Sequence, residues 1–337
     1  MKYKLILKLP TITKKMNYNF EIDDSYSRKS IEIKATLNSN DLDKIEKVIS
    51  SEKIEYISFD YEQTENTWKE INRIIITHNS SIRISLSYSE TELENISFLK
   101  YLPDIKELFI FYFKGVDLSP IAHLKELKVL KFFNVFQSAK VRLKPLTGLD
   151  KLEELKIFHI KDIEEIENFS NLKYIGLESL KINNLNFLKP LLNLERIELR
   201  SSDKITDYSG LYDLPKLTDA FIVKNYKDTT AEFISHLKNL KKLDITDYNS
   251  VSKFPSLEKL EELTDLSITS WKILNDISGV SKAPNLENLS LFVGKEFKTS
   301  ALNVLKGHKS LKEIRAGFNT KKENVEGKIL IEEILKL

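Results

Sequence analysis

The chain has 337 residues, of which 41% are hydrophobic and 10% aromatic, well above the composition of disordered chains. Its 52 basic and 50 acidic residues leave a formal net charge of +2, which argues against an extended polycation that binds nucleic acid or a membrane surface. Because the sequence has no cysteine, disulfides, a thiolate nucleophile and cysteine-ligated metal sites are excluded, which fits a reducing compartment.

The N-terminal residues 1–52 predict a capping region of strands followed by one helix. Apolar residues alternate with other residues over 3–9, 18–22 and 31–37, which is typical of two or three antiparallel strands. A helix follows, with Ser39 or Asn40 as its N-cap. Lysines interrupt the apolar residues of the first segment, so we expect a strand there and no secretory leader.

From residue 54 onward the chain repeats the pattern apolar-x-x-apolar-x-apolar. Alternation within the pattern predicts a short parallel strand in each repeat, and phrases such as Ser119-Pro120 predict a helical turn on the returning segment. Two weaker copies begin at Ile54 and Ser81. Ten good copies begin at Ile105, Leu127, Leu152, Leu172, Leu194, Leu217, Leu240, Leu263, Leu286 and Leu311.

These repeats resemble leucine-rich repeat proteins, and most of all the short type found in internalins and phosphatase-regulatory proteins. Val116–Leu127 (VDLSPIAHLKEL) carries the internalin-like phrase. The resemblance implies an α/β fold, a curved leucine-rich repeat solenoid with a parallel β-sheet on its concave face and an N-terminal β-rich cap. We therefore expect the cap over 1–52, an array of about 12 repeats over 53–325 and a C-terminal capping helix over 326–337.

The ninth position of each repeat departs from this family, where it is usually Asn. Here it is mostly apolar, as at Phe113, Tyr248 and Trp271. We expect such residues to thicken the core, while the backbone groups of the turn need partners other than an Asn side chain.

Positions three, five, seven and eight of each repeat are expected to face the concave surface. Aromatic residues and arginines are more frequent at these positions than in the whole chain, and lysines are less frequent. The core of a protein–protein interface has the same composition. Phe111, Phe133 and Phe158 share position seven and predict an exposed ladder. The predicted protein-binding residues are Tyr88, Phe109, Phe111, Tyr112, Phe133, Phe158, His159, Tyr174, Arg196 and Arg200.

Two alternative interpretations of this surface stay open. Strands favour aromatic residues in any protein, and an exposed aromatic patch also serves self-association or lies under the chain's own N-terminal region. The acidic stretch over 219–265 would meet a basic region of a partner, and the lack of a basic stripe argues against nucleic acid.

No catalytic, cofactor-binding or metal-binding residues are predicted. The sequence has no phosphate-binding loop, no nucleophile elbow and no zinc-protease motif, and its five histidines lack metal-ligand spacing. The longest apolar stretch, Leu108–Phe113, is far shorter than the ~20 residues of a membrane-spanning helix.

We therefore predict a non-enzymatic, cytoplasmic protein-interaction module that binds a protein partner on its concave face. Its role would be that of a scaffold or an immunity-type inhibitor in a bacterial cell, since abundant Ile, Lys and Asn with scarce Arg indicate an AT-rich genome. Two alternatives remain: a secreted or surface internalin-like adhesin or effector that recognises a host protein or glycan, and a regulatory subunit of an enzyme such as a phosphatase.

Overall fold

The computed structural model describes residues 18–23, 29–78, 81–88, 93–134, 140–223 and 228–336. It divides into two compact units, residues 1–137 and residues 138–337. All ten good copies of the repeat form a strand over positions three to seven, and the two weaker copies form shorter ones. The predicted α/β class and the strand of each repeat are therefore confirmed, whereas the strand expected over 3–9 lies outside the described residues.

The strands of the first unit pair in chain order. β1 and β2 are antiparallel, and each later strand from β3 to β6 pairs in parallel with the one before it. The strands are β1 (Phe20–Asp23), β2 (Ser30–Ile33), β3 (Tyr56–Phe59), β4 (Arg83–Leu86), β5 (Glu107–Phe111) and β6 (Val129–Phe133).

Two α-helices lie on returning segments of this unit, α1 (Ser39–Ser51) and α2 (Glu65–His78). The N-cap of α1 is Asn38, one residue before the predicted Ser39, because Asn38 and Asp41 form a reciprocal capping box. α2 was not expected from the repeat pattern.

Trp68 of α2 is fully buried between two rings. Its ring lies 4.6 Å from Phe59 of β3 and 4.6 Å from Phe98, and it stacks on Phe98 with an angle of 10° between the planes. Because an aromatic residue of this size buries a large apolar area, this contact fixes α2 against the strands. Later returning segments use short 3₁₀ turns instead, such as Ser119–His123, whose second residue is proline.

The strands of the second unit are all parallel and also pair in chain order. The unit ends in helix α3 (Lys321–Leu335), whose N-cap is Thr320, so the helix begins before the predicted boundary at 326. The strands are β7 (Glu154–Phe158), β8 (Tyr174–Glu178), β9 (Arg196–Arg200), β10 (Asp219–Val223), β11 (Lys242–Thr246), β12 (Asp265–Thr269), β13 (Asn288–Phe292) and β14 (Glu313–Gly317).

Apolar residues at the ninth position are buried, as expected. Tyr248 and Trp271 are fully buried and stack with their ring centroids 5.3 Å apart. Their polar atoms are also paired, since the Trp271 indole N–H donates to the carbonyl of Ile245 at 3.2 Å and the Tyr248 hydroxyl lies 3.0 Å from that of Tyr208. Large aromatic side chains thus widen the core of the second unit without leaving these groups unsatisfied.

After the strands β5, β7, β8, β9, β11 and β12, a backbone hydrogen bond to the next repeat forms at the turn where the family usually has an Asn side chain. The N–H of the eighth residue donates to the carbonyl of the seventh residue of the next repeat, for example from Ser179 to Arg200 at 2.9 Å and from Ser270 to Phe292 at 2.7 Å. Position eight therefore follows the strand, and in seven of the described repeats it is a left-handed turn residue, which corrects the prediction that it belongs to the strand face. Positive φ angles occur there at Tyr112, Asn134, His159, Ser179, Ser201, Asp247 and Ser270.

Candidate functional site

The open strand face is the surface formed by positions three, five and seven of the strands. Along most strands these positions are partly exposed while positions four and six are buried, so the alternation predicted from the sequence is present. On the first unit this face carries three phenylalanines, Phe109, Phe111 and Phe133, which we call the aromatic cluster. Ring centroids are 5.4 Å apart for Phe109 and Phe133, and 4.9 Å apart for the stacked pair Phe111 and Phe133.

Two cationic groups lie close to Phe109 of the aromatic cluster. The Arg83 guanidinium lies 4.1 Å from the centroid of the Phe109 ring, and its Nε donates to Glu107 at 3.1 Å. The ammonium group of Lys131 lies 5.6 Å from the same ring. The arginine is thus held on the ring by a cation–π contact and an ion pair, which keeps one face of Phe109 covered and its position fixed.

A groove of about 460 Å³ lies beside the aromatic cluster on the first unit. Ser58 and Ser85 are in register with Phe109 on the preceding strands, and their small side chains leave the space. The groove is lined by Glu32, Tyr56, Ser58, Arg83, Ser85, Ser87, Phe109 and Phe111.

Two residues of the predicted site are buried. Tyr88 is 5% exposed, and its burial, with the charge of Glu62, raises the pKa of its phenol. Phe158 is 4% exposed, and its ring meets that of His159 edge-on at 5.8 Å. An exposed ladder that includes Phe158 is therefore wrong. Tyr112, by contrast, is 39% exposed at the turn that follows the aromatic cluster.

On the second unit a hydrogen-bonded network surrounds Glu198 of β9. Its carboxylate accepts hydrogen bonds from Lys156 Nζ at 2.8 Å and from Tyr174 Oη at 2.6 Å. The Nε of Arg200 donates to the same carboxylate. Only 13% of the Glu198 side chain is exposed, so protein donors satisfy most of this charge.

Gly176 makes this network possible. β8 lies between Lys156 on β7 and Glu198 on β9, and Gly176 is in register with both residues. A Cβ atom at Gly176 would lie 2.7 Å from Tyr174 Oη and 2.9 Å from Lys156 Cγ. The missing side chain therefore leaves the space through which Lys156 crosses β8 to reach Glu198.

The electrostatics of the network keep Glu198 ionised. Burial by itself raises the pKa of Glu198, but the hydrogen bonds from Arg200, Lys156 and Tyr174 outweigh burial and lower the pKa to about 2. For Tyr174, burial and the hydrogen bond to Glu198 both raise the pKa. A general acid needs a carboxyl pKa near the working pH, so this arrangement holds charges in place and does not favour proton transfer.

Further along the same face lies a groove of about 560 Å³, which we call the acidic groove. Asp219, Asp244 and Asp265 lie on three successive strands along it. Burial raises the pKa of Asp244, although Thr246 and Arg200 act in the opposite direction. The other lining residues include Tyr174, Arg196, Glu198, Phe221, Lys242, Ser267, Asn288, Ser290, Glu313 and Arg315.

The structure brings three of the predicted site residues together at one end of the acidic groove. The Arg196 guanidinium lies 5.2 Å from the centroid of Tyr174 and pairs with Glu154 at 3.3 Å. The Arg200 guanidinium lies 4.5 Å from the centroid of Phe221. The sequence-based assignment of these residues to a binding surface stays a prediction. Sequence reasoning missed Gly176, although a glycine in a row of large side chains is a recognisable signal.

Other classes of site receive no support from the described residues. Within them, no three side chains of the types that ligate metals are grouped closely enough to hold an ion. Among the helices that the structure describes, none has the length and apolarity required to cross a membrane.

Known structures share this architecture. An internalin, InlF, from Listeria monocytogenes is 18% identical, with 88% of this chain and 84% of that chain covered at a TM-score of 0.56. The chain has the leucine-rich repeat fold. A chain of the Drosophila Toll–Spätzle complex is 11% identical, with 88% of this chain and 43% of that chain covered at a TM-score of 0.54.

A leucine-rich repeat protein of Leptospira interrogans also matches, with 15% identity, 88% of this chain and 74% of that chain covered, and a TM-score of 0.46. No protein-family model and no curated protein sequence matches the chain. At these identities the comparisons with InlF and Toll establish the fold alone, and the function has to be argued from the surface.

Proposed function

We propose that this chain is a non-enzymatic protein-binding module that contacts its partner through the open strand face, on the concave side expected for the fold. The observation that carries the proposal is the aromatic cluster of Phe109, Phe111 and Phe133. Rings that pack against one another and remain partly exposed present a rigid apolar surface, and such surfaces are where interfaces concentrate their binding energy.

Three features around the cluster support this proposal. Arg83 is fixed on Phe109, and aromatic and arginine side chains are the residues most enriched in interface centres. Tyr112 adds an exposed ring at the adjoining turn. The groove over Ser58 and Ser85 offers space for a side chain of the partner beside the rings. Among structures with the same fold, that of Toll is a complex with a second protein, Spätzle.

The cellular role that we propose is a scaffold or an immunity-type inhibitor in the cytoplasm of a bacterium. The Glu198 network and the acidic groove of the second unit would then select among partners, because complementary charge determines specificity and association rate more than affinity.

Affinity purification from the native cell, followed by quantitative mass spectrometry, tests the proposal. We expect Phe133→Ala to lower the recovery of a specific partner about tenfold or more, as hot-spot truncations do. Phe292→Ala is the matched control, because Phe292 also occupies position seven of its strand and is 50% exposed, but belongs to the second unit.

Both variants must first unfold at nearly the wild-type temperature. Full recovery of the partner with Phe133→Ala would contradict the proposal, and so would an equal loss with both variants.

A further inference from the structure

We propose that the acidic groove of the second unit binds a cationic segment of a protein partner, an extended stretch that carries lysine or arginine side chains. This inference rests on the proposed protein-binding function and assigns a chemistry to a surface other than the aromatic cluster. The inference is based on a difference between two sets of charged residues over the strands β9–β14: most basic side chains are paired with glutamates, whereas three aspartates form no ion pair among the described residues.

The basic side chains around the groove are largely occupied by glutamates. Lys156 and Arg200 both bind Glu198. The remaining pairs of this kind are Arg196 with Glu154 and Arg315 with Glu313. These cations are therefore compensated before any partner arrives.

Asp219, Asp244 and Asp265, by contrast, are hydrogen-bonded only to neutral groups in the described part of the chain. Thr218 donates to Asp219 at 2.7 Å, Thr246 to Asp244 at 3.2 Å and Thr264 to Asp265 at 2.7 Å. Asn288 also donates to Asp265, at 3.0 Å. All these donors are neutral, and within the part of the chain that the structure describes none of the three aspartates forms an ion pair.

Lys242 lies in the same row, between Asp219 and Asp265 on the neighbouring strands. Its side chain is exposed and forms no ion pair with either aspartate among the described contacts. The three aspartate carboxylates carry three negative charges, and Lys242 carries one positive charge. The groove therefore keeps a net negative charge that a cationic partner would neutralise.

The shape of the groove fits a long basic side chain. Phe221, Asp244, Ser267 and Ser290 occupy the same position on four successive strands, which are ~4.8 Å apart in a sheet. The two serines leave space next to Asp244, and Phe221 forms an aromatic wall whose ring is also contacted by Arg200. The aliphatic part of a lysine or arginine would lie against Phe221, with its cationic group at Asp244.

Burial gives a second reason for a cationic occupant. Asp244 is half-buried, and this environment disfavours its charged form, which raises its pKa. A cation placed beside it would offset that penalty, whereas a neutral or acidic segment would add to it.

The test uses the full chain and a fluorescein-labelled peptide of sequence Arg-Ala-Arg-Ala-Arg, in which alternate residues face the same side when extended. Fluorescence anisotropy should show saturable binding that Asp244→Asn weakens about tenfold, as expected for a half-buried charge contact. Asp213→Asn is the matched control, an exposed aspartate of the same unit outside the groove, and should leave the dissociation constant within about twofold.

A second variant distinguishes a loss of binding from a loss of folded structure. Ser267→Lys would place an ammonium group in the groove, and we expect it to abolish peptide binding while the melting temperature stays close to that of the wild type. A peptide of sequence Glu-Ala-Glu-Ala-Glu should not bind.

Three results would overturn the inference: equal affinity of the Asp244→Asn and Asp213→Asn variants, equal binding of the acidic peptide, or complete displacement of the basic peptide by calcium chloride at matched ionic strength. The last would mark the groove as a site for a small cation. Phe133→Ala should leave peptide binding unchanged, so failure at the acidic groove and failure at the aromatic cluster are distinguishable.

Discussion

The open strand faces of the two units present different chemistry on the same backbone positions. On the first unit, β5 and β6 carry three phenylalanines in ring contact, with an arginine held on one of them. On the second unit, the corresponding positions of β7–β14 carry the Glu198 network and the acidic groove. The repeat fixes where side chains stand, and the residue type at each position decides what the surface can bind.

The largest loss of stability should be the same in both units, because the strands of both units bury the same kind of leucine side chain in the core. Leu130→Ala on β6 and Leu243→Ala on β11 each remove a side chain that is at most 2% exposed. We expect each variant to lose about 2–5 kcal/mol of unfolding free energy in a urea titration, as core truncations do. A loss below about 1 kcal/mol in either variant would show that our register for that unit is wrong.

A smaller loss of stability should result from removing the charge of Glu198, whose network occurs on the second unit. Glu198→Gln removes the charge that Lys156 and Arg200 share, and we expect a loss of about 1.5–3 kcal/mol, the range for hydrogen bonds to charged groups. The matched control is Glu313→Gln, since Glu313 forms an exposed pair with Arg315 and its loss should be undetectable.

The same carboxylate predicts a dependence on pH. Because the pKa of Glu198 in the folded chain is about 2 and its ordinary value is 4.5, its contribution is complete above pH 4.5 and is lost as the pH falls towards 2. Wild type and Glu198→Gln should therefore converge in stability below pH 4.5. Parallel curves across this interval would contradict the assigned network.

A still smaller effect should come from the glycine beneath the network. Gly176→Ala places a methyl group against Tyr174 Oη and Lys156, and we expect a cost of about 1 kcal/mol because the ends of both side chains can shift. Gly317→Ala is the control, since its new methyl group would meet only the ring of the half-exposed Phe292, at 3.0 Å. Equal thermal stability of the two variants would show that Lys156 does not depend on the space above β8.

The smallest effect on stability should come from the aromatic cluster itself. Phe133→Ala removes two contacts between partly exposed rings, and we expect a total loss of about 0.5–1 kcal/mol, towards the low end for aromatic pairs. Phe292→Ala should change the unfolding free energy by less than about 0.5 kcal/mol. Denaturant titration of both variants measures this difference. A loss for Phe133→Ala as large as that for Leu130→Ala would mean that the cluster is a piece of core and not a contact surface.

The sequence predicted the strands well because their signal is repeated. Each of the ten good copies places its strand at positions three to seven, and buried residues such as Leu108 and Leu130 lie where the alternation requires. The 3₁₀ turn at Ser119–His123 was also predicted, since proline at a helix start is a local signal. The longer α2 was missed because it replaces that turn in a single place.

The candidate site was predicted only in part, because exposure depends on neighbours that a repeat pattern does not specify. Phe111 and Phe158 share position seven, yet Phe158 is buried beside His159. The Glu198 network depends on a glycine in the row between two strands, a three-strand relationship that no single repeat contains. Likewise, the left-handed turn at position eight is made by backbone hydrogen bonds, which most residue types can form.

Site-specific photo-crosslinking tests the central claim most directly. A benzoylphenylalanine placed at Phe111 should crosslink the partner recovered with the wild-type chain, because that position lies in the aromatic cluster. The same group at Val304, which is 42% exposed on a returning segment of the second unit, should give no such product. A crosslinked partner from Val304 and none from Phe111 would contradict binding through the open strand face.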